Sequence, residues 1–168
     1  MPPPMLVDLT QIDPNSVLYD RDGIREYNPH RHEMEQLTAI VHVDKEENVA
    51  VAYKDIAEQE FWVRGHMPGF PLMPGVLMCE AAAQLAAFHS TICNLLQGDF
   101  VGFGGMDEVR FRGIVRPGDR LLIVVKLLQI RPTRRAVFAF QEFVGDLMVC
   151  HGKMFGVPLS MNEEGSSR

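Results

Sequence analysis

GHMPGFPLMPGVLMCEAAAQLAAF, residues 65–88, joins a loop punctuated by Pro68, Pro71 and Pro74 to an apolar segment that carries one carboxylate, Glu80. Each residue before a proline is pushed away from helical geometry, so the stretch from Phe61 to Pro74 reads as a loop. Between Val76 and Leu96 there is no proline or glycine and alanine is frequent. This predicts a helix of about six turns that begins at Pro74-Gly75 and ends before QGD. The helix is apolar all round, with Glu80 its only charged residue. Such a helix is buried on most sides, and the alanines at 81–83, 86 and 87 let neighbouring strands come close. A carboxylate on it loses hydration, and buried carboxylates seldom persist without a partner or a task. Gln84 lies one turn on, on the same face, where it can hold one of the carboxylate oxygens.

Strand-like segments flank this helix on both sides. LTAIVHVD (37–44) and NVAVAYKDI (48–56) alternate, are rich in β-branched residues, and are joined by the turn-forming DKEEN, so they read as a hairpin. After the helix come DFVGFGGMDEVRFRG, DRLLIVVKLLQIR, RAVFAFQEFVG and LMVCHGKMFGVP, separated by RPGD, PTR and GD. Gly145-Asp146 between two apolar runs is a hairpin signal. Phe100, Phe103, Phe111, Phe138, Phe140 and Phe143 read as mostly core. Residues 1–23 are Pro- and Asp-rich and read as an arm without a visible core, with one short helix before YNPHR, and 159–168 as a frayed tail. No repeat or linker divides the chain. The expectation is a single α+β domain over 1–168, one long helix against an antiparallel sheet of about six strands.

Composition narrows the function classes. The 168 residues carry a net charge of −6, but acid is unevenly distributed: residues 1–60 hold 13 Asp and Glu against 5 Lys and Arg. Between Arg110 and Arg135 the balance inverts, with seven arginines and Lys126 against Asp119 alone. An acidic chain with one basic stretch does not suggest a nucleic-acid binder, whereas an acidic protein partner could be received there. Cys79, Cys93 and Cys150 are odd in number and lack paired metal spacing, so neither a disulfide framework nor a zinc site is supported. Reduced thiols fit a cytoplasmic setting. The N-terminus lacks a basic segment followed by an apolar run, which argues against a signal peptide. The apolar run from Leu72 is broken by Glu80, Gln84 and His89, too early for a membrane span.

The residues of the opening stretch form a chemical kit. A neutral histidine such as His66 is the usual base near neutral pH, and a carboxylic acid in an apolar pocket keeps its proton and can donate it. A base and an acid are what a β-elimination needs. The helix start at Gly75-Val76 adds unpaired N–H groups and a positive dipole end for an oxygen that turns negative, and Gly75 allows close approach to the backbone. His66 precedes Glu80 by 14 residues, and that spacing alone does not bring the two together. His30, His32, His42, His89 and His151 show no ligand spacing and read as structural or surface residues. The Pro-x-x-Pro spacing reads as a rigid turn rather than an exposed polyproline ligand, because it runs into a buried helix.

GHMPGFPLMPGVLMCEAAAQ resembles the signature G-H-F-P-x-x-P-x-M-P-G-V-x-x-x-E-A-x-x-Q of the 3-hydroxyacyl-acyl-carrier-protein dehydratases of type II fatty acid synthesis. NPHR (28–31) is similar to that family's L-P-H-R, and GGMDEVRFRGIVRPGDRL (104–121) to its G-I-D-x-x-R-F-R-x-x-V-x-P-G-D-x-L. The resemblance spans roughly residues 24–157. It implies a hotdog fold working as a dimer or a trimer of dimers, without metal or organic cofactor, on acyl carrier protein thioesters. It makes His66 the base, Glu80 of the other subunit the acid, the Gly75 amide the carbonyl-polarising group, and Gln84 the residue that orients the acid. Glu80 favours the plain dehydratase over a related branch with Asp at this position, which also isomerises the double bond. Met67 stands for the usual Phe and Phe70 where His is common, and both are expected to line the substrate tunnel, together with one or two of the six phenylalanines otherwise read as core. Arg110, Arg112 and Arg116 are the candidate carrier-protein docking residues. The competing readings are a hotdog thioesterase using Glu80 and a water, and a non-catalytic acyl-thioester-binding subunit.

Overall fold

The alanine-rich run of the opening stretch forms the one long helix among the described residues, and a sheet curls around it. The computed structural model describes residues 3–161. Its elements are α1 (Arg21–Arg25), β1 (Ala39–Asp44), β2 (Val49–Asp55), α2 (Gly75–Ile92), β3 (Phe100–Phe111), β4 (Arg120–Arg131), β5 (Arg135–Val144) and β6 (Leu147–Leu159). The six strands form one antiparallel sheet in the order β1-β2-β4-β5-β6-β3. This is the α+β hotdog architecture. Gly145 at φ 55 makes the two-residue β5–β6 turn, the geometry for which the Gly-Asp pair is suited.

Helix α2 ends at Ile92, four residues before the predicted Leu96. Asn94 takes φ 50, and Leu95 N–H reaches Ser90 O at 2.9 Å while Asn94 N–H reaches Thr91 O at 3.1 Å. That pair of bonds closes the helix on a left-handed residue, and Asn is the residue after glycine most tolerant of that conformation. Inward, Ala81, Ala82, Leu85 and Phe88 are fully buried against Ile40, Ala52, Ile123, Phe138 and Phe140. Phe88 anchors this core, where truncation to Ala removes about 3–5 kcal/mol.

Several expectations change. The strands of the first hairpin are buried on both faces: Ala50 and Ala52 face the helix, while Val49, Val51 and Tyr53 join an outer cluster with Ala39, Val41, Val124 and Phe143. The N-terminal arm covers that outer face. Leu6, Val7, Leu9 and the buried Ile12 pack on it, and Gln141 clips it down, its side chain accepting from Leu6 N–H (3.0 Å) and donating to Pro4 O (2.8 Å). Leu159, assigned to the frayed tail, is instead the last residue of β6 and pairs with Phe100. Residues 162–168 of that tail lie outside the described residues. Of the six phenylalanines read as mostly core, Phe138, Phe140 and Phe143 are buried, whereas Phe100, Phe103 and Phe111 stand exposed along the edge strand β3.

Glu142 follows Ala136, Phe138 and Phe140 on the inward face of β5 and is fully buried. Neither of its carboxyl oxygens has a nitrogen or oxygen partner among the described residues. Burial first, and then the nearby Cys79 thiol, push its carboxyl well above the ordinary 4.5, with Cys150 acting the other way. The folded state therefore holds a proton that the unfolded chain releases, so this group's stability contribution is full below about pH 4.5 and is lost as pH rises toward the folded value. Glu142→Gln removes that loss. The variant is expected to melt above the parent at about pH 8, and its advantage should shrink by ~1.4 kcal/mol for each pH unit descended from the folded value toward about pH 5. Melting curves that run parallel with pH would contradict this.

Candidate active site

His66 sits at the tip of a loop fastened from below by a buried tryptophan. Trp62 is buried, and its carbonyl accepts from Gly65 N–H (3.1 Å) and His66 N–H (2.7 Å). Lys54 and Glu60, both largely buried, form a 3.0 Å ion pair at the base of the same loop. Downstream, Met73 N–H bonds to Val115 O at 2.7 Å and the Met73 side chain is buried. Between these anchors His66 and Leu72 bond each other twice: Leu72 N–H donates to His66 O (3.0 Å), and His66 Nδ1 lies 2.9 Å from Leu72 O. A carbonyl only accepts, so in the neutral ring the proton is on Nδ1 and Nε2 keeps its lone pair. The ring is thus held in the tautomer a general base requires.

The start of α2 follows directly. Pro74 is its N-cap and supplies no side-chain bond. The first helical amides to find partners are Leu77 and Met78, both on Pro74 O at 2.9 and 3.4 Å. Among the described residues, the Gly75 and Val76 N–H groups carry no hydrogen bond, which leaves a positive helix end open to an oxygen. Gly75 itself is required for a different close approach than the one expected: a Cβ there would lie 2.7 Å from the Phe111 ring.

Glu80 is half-buried rather than enclosed. It opens into a cavity of about 70 Å³ lined along the helix by Ala83, Ala87 and Ser90 and opposite by Val101, Phe103, Phe138 and Phe155. Gln84 holds it as the spacing suggested, its Nε2 donating to Glu80 Oε1 at 2.8 Å. Gln84 is itself a buried node. Its Nε2 also donates to Met34 O (2.6 Å), its Oε1 accepts from Gln36 N–H (2.9 Å), and its backbone carbonyl accepts from Asn28 Nδ2 (2.9 Å).

His30 is the residue that sequence reasoning set aside. Its Nε2 lies 3.4 Å from Glu80 Oε1 and its ring lines the cavity, so it is neither a surface nor a remote structural histidine. The signal was the NPHR motif itself: Asn28 ties the segment to α2, and Arg31 closes it by donating to the carbonyls of Asn28 and His30 at 2.8 and 2.6 Å.

Within one chain His66 and Glu80 do not meet. The cavity at Glu80 is lined without His66, Met67 or Phe70. Met67 and Phe70 are exposed beside His66, and the Arg116 guanidinium stacks 4.6 Å over the Phe70 ring. Arg110 donates to Val109 O and stands opposite His151, with the exposed Arg112 close by on the sequence that leaves β3. Three further arginines, Arg131, Arg134 and Arg135, gather at the β4–β5 turn around an open recess, and Arg135 lies over Phe155, a wall of the Glu80 cavity. Among the described residues no three His, Cys, Asp or Glu side chains cluster as metal ligands.

A sequence profile described as a FabA-like domain matches residues 28–153. The 3-hydroxyacyl-[acyl-carrier-protein] dehydratase FabZ of Streptococcus agalactiae is 37% identical over 130 residues, covering 77% of this chain and 91% of the relative. Its counterpart in Pelotomaculum thermopropionicum is 36% identical over 133 residues, covering 77% and 94%. Among solved structures, the dehydratase heterocomplex ApeI:P of Xenorhabdus doucetiae matches with a TM-score of 0.62 at 16% identity, over 80% of this chain and 90% of that one. A sigma28-regulated virulence protein of Campylobacter jejuni matches with a TM-score of 0.64, also at 16% identity, over 88% and 95%. At such identities the structural matches speak to the fold alone.

Proposed function

The chain belongs to the FabA-like family, with 3-hydroxyacyl-[acyl-carrier-protein] dehydratases among its relatives, and on that footing we propose how it works as one. It is a hydro-lyase that converts (3R)-3-hydroxyacyl-acyl-carrier-protein to the trans-2-enoyl thioester in fatty acid or related lipid biosynthesis. His66 Nε2 takes the proton from the carbon beside the thioester carbonyl. The C2–C3 double bond forms as the C3–O bond breaks, and Glu80 gives its proton to the departing hydroxyl, which leaves as water. The free Gly75 N–H holds the carbonyl oxygen while it carries negative charge. The observation that carries this reading is the His66 tautomer, fixed by Leu72 O with Nε2 bare.

The site is shared between two subunits in this reading. Strand β3 is a twelve-residue sheet edge, paired only to β6 among the described residues, with Phe103, Met106 and Phe111 exposed along it. A long apolar edge of this kind calls for a second strand. Its beginning, Val101–Phe103, lines the Glu80 cavity, and its end, Phe111, covers Gly75. Two-fold antiparallel pairing of β3 with its copy therefore sets the Gly75 and His66 end of one chain toward the Glu80 cavity of the other. Trimers of such dimers remain within this reading. Among the described residues no helix is long and apolar enough to cross a membrane. The three cysteines are free, which supports a cytoplasmic setting.

The test is an assay of the purified protein on 3-hydroxyacyl-acyl-carrier-protein. Formation of the conjugated enoyl thioester without release of free thiol is expected. Thiol release with no enoyl product would overturn the reading. The same assay tests docking, for which Arg116 beside the His66 loop and the Arg131, Arg134 and Arg135 group beside Phe155 are the favoured contacts, with Arg110 and Arg112 at the end of β3 as the outer part of the surface. Reversing Arg134 and Arg135 to Glu is expected to raise KM for the carrier-bound substrate about tenfold, an effect that added salt erases. KM for a short acyl thioester without carrier protein should not move.

A further inference from the structure

We infer that His30 is a positioning residue for the acid: together with Gln84 it occupies Glu80 Oε1 and so assigns the transferable proton to Oε2. This rests on the dehydratase reading of Glu80. Gln84 Nε2, a pure donor, points at Oε1 from 2.8 Å. His30 Nε2 approaches the same oxygen at 3.4 Å, a length that such contacts often have before substrate binds and tightens them. His30 Nδ1 is buried without a partner among the described residues. A proton on Nδ1 would leave that N–H unmet and turn a nitrogen lone pair toward a carboxyl oxygen, so the proton is on Nε2. With two donors converging on Oε1, that oxygen acts as the carbonyl-like acceptor of the neutral acid, and the O–H is on Oε2.

The surroundings are built to hold His30 there. Pro29 restricts the backbone before it, Arg31 grips the Asn28, His30 and Arg25 carbonyls, and Asn28 is bonded to the Gln84 carbonyl. Gln84, which orients Glu80, thus also anchors the segment that carries His30. The other side of the ring closes a small recess lined by Arg21, Arg25, Glu35 and Leu37, where Arg25 and Glu35 are paired with each other. No part of the proton transfer passes through His30. Its role is geometric.

The experiment compares three substitutions. In His30→Gln the terminal amide nitrogen reaches the former Nε2 position, in His30→Asn it falls short, and His30→Leu has no donor. His30→Leu and His30→Asn are expected to lower kcat about 10- to 100-fold with KM nearly unchanged, while His30→Gln recovers to within about threefold of the parent. In ¹⁵N spectra of the parent protein, His30 should show a protonated Nε2 and a bare Nδ1. Parent-like kcat in His30→Leu, equal impairment of the Gln and Leu variants with matching losses of melting temperature, or a protonated Nδ1 would each overturn the inference. None of these would touch the dehydratase reading, which fails only if the parent makes no enoyl product or Glu80→Gln stays active.

Discussion

Glu80→Gln is expected to lower kcat for dehydration about 100- to 10,000-fold, the range for removing a general acid, with the fold intact. The substitution keeps the side-chain volume, and the new amide oxygen can still accept from Gln84 Nε2, which lies 2.8 Å from Glu80 Oε1. Only the O–H is replaced, by an amide that cannot release a proton to the departing hydroxyl. Because the Glu80 side chain is 24% exposed and Gln matches it in size, the melting temperature should stay within a few degrees of the parent. Enoyl formation followed beside a thermal melt checks both halves. Activity within tenfold of the parent would remove the acid from the mechanism.

His66→Asn is expected to be as inactive as His66→Ala, again about 100- to 10,000-fold below the parent, but more stable than it. The Asn side-chain nitrogen falls near the position of imidazole Nδ1 and can keep the bond to Leu72 O, seen at 2.9 Å, yet it offers no base where Nε2 was. The alanine variant loses that bond as well, at about 1 kcal/mol. Separating the two readouts matters because the His66–Leu72 pair closes the loop as well as fixing the tautomer. An Asn variant that dehydrates within tenfold of the parent would show that the ring's bare nitrogen is not the base.

Much of this was legible in the sequence, for physical reasons that can be named. Local signals held: the proline-punctuated loop, the helix start at Gly75, the Gly145-Asp146 turn, and the Glu80–Gln84 spacing, all set by neighbours within a few residues. Contacts between distant segments did not declare themselves. His30 reaches Glu80 across 50 residues of sequence and only because Asn28 and Arg31 fold their segment onto α2. Glu142 stands beside Gln141 in a strand, and one of two adjacent polar residues must face inward, but nothing local says which. The covered outer face had a signal that went unused. NVAVAYKD is apolar on both faces of its strand, and such a strand needs a second cover, here the Pro-rich arm with Leu6, Val7, Leu9 and Ile12. The helix end moved because Asn94 accepts a left-handed conformation that a run without glycine does not advertise.

The claim on which the whole account turns is that His66 of one chain works with Glu80 of another. Mixing the inactive Glu80→Gln and His66→Ala chains, with unfolding and refolding to exchange subunits, tests it directly. If the site is shared, a mixed dimer carries one site with both residues intact, and equal mixing should return about a quarter of parental activity, since about half the dimers are mixed and each has one of two sites working. If each chain used its own pair, every site in the mixture would lack one residue, and activity would stay at the level of the separate variants.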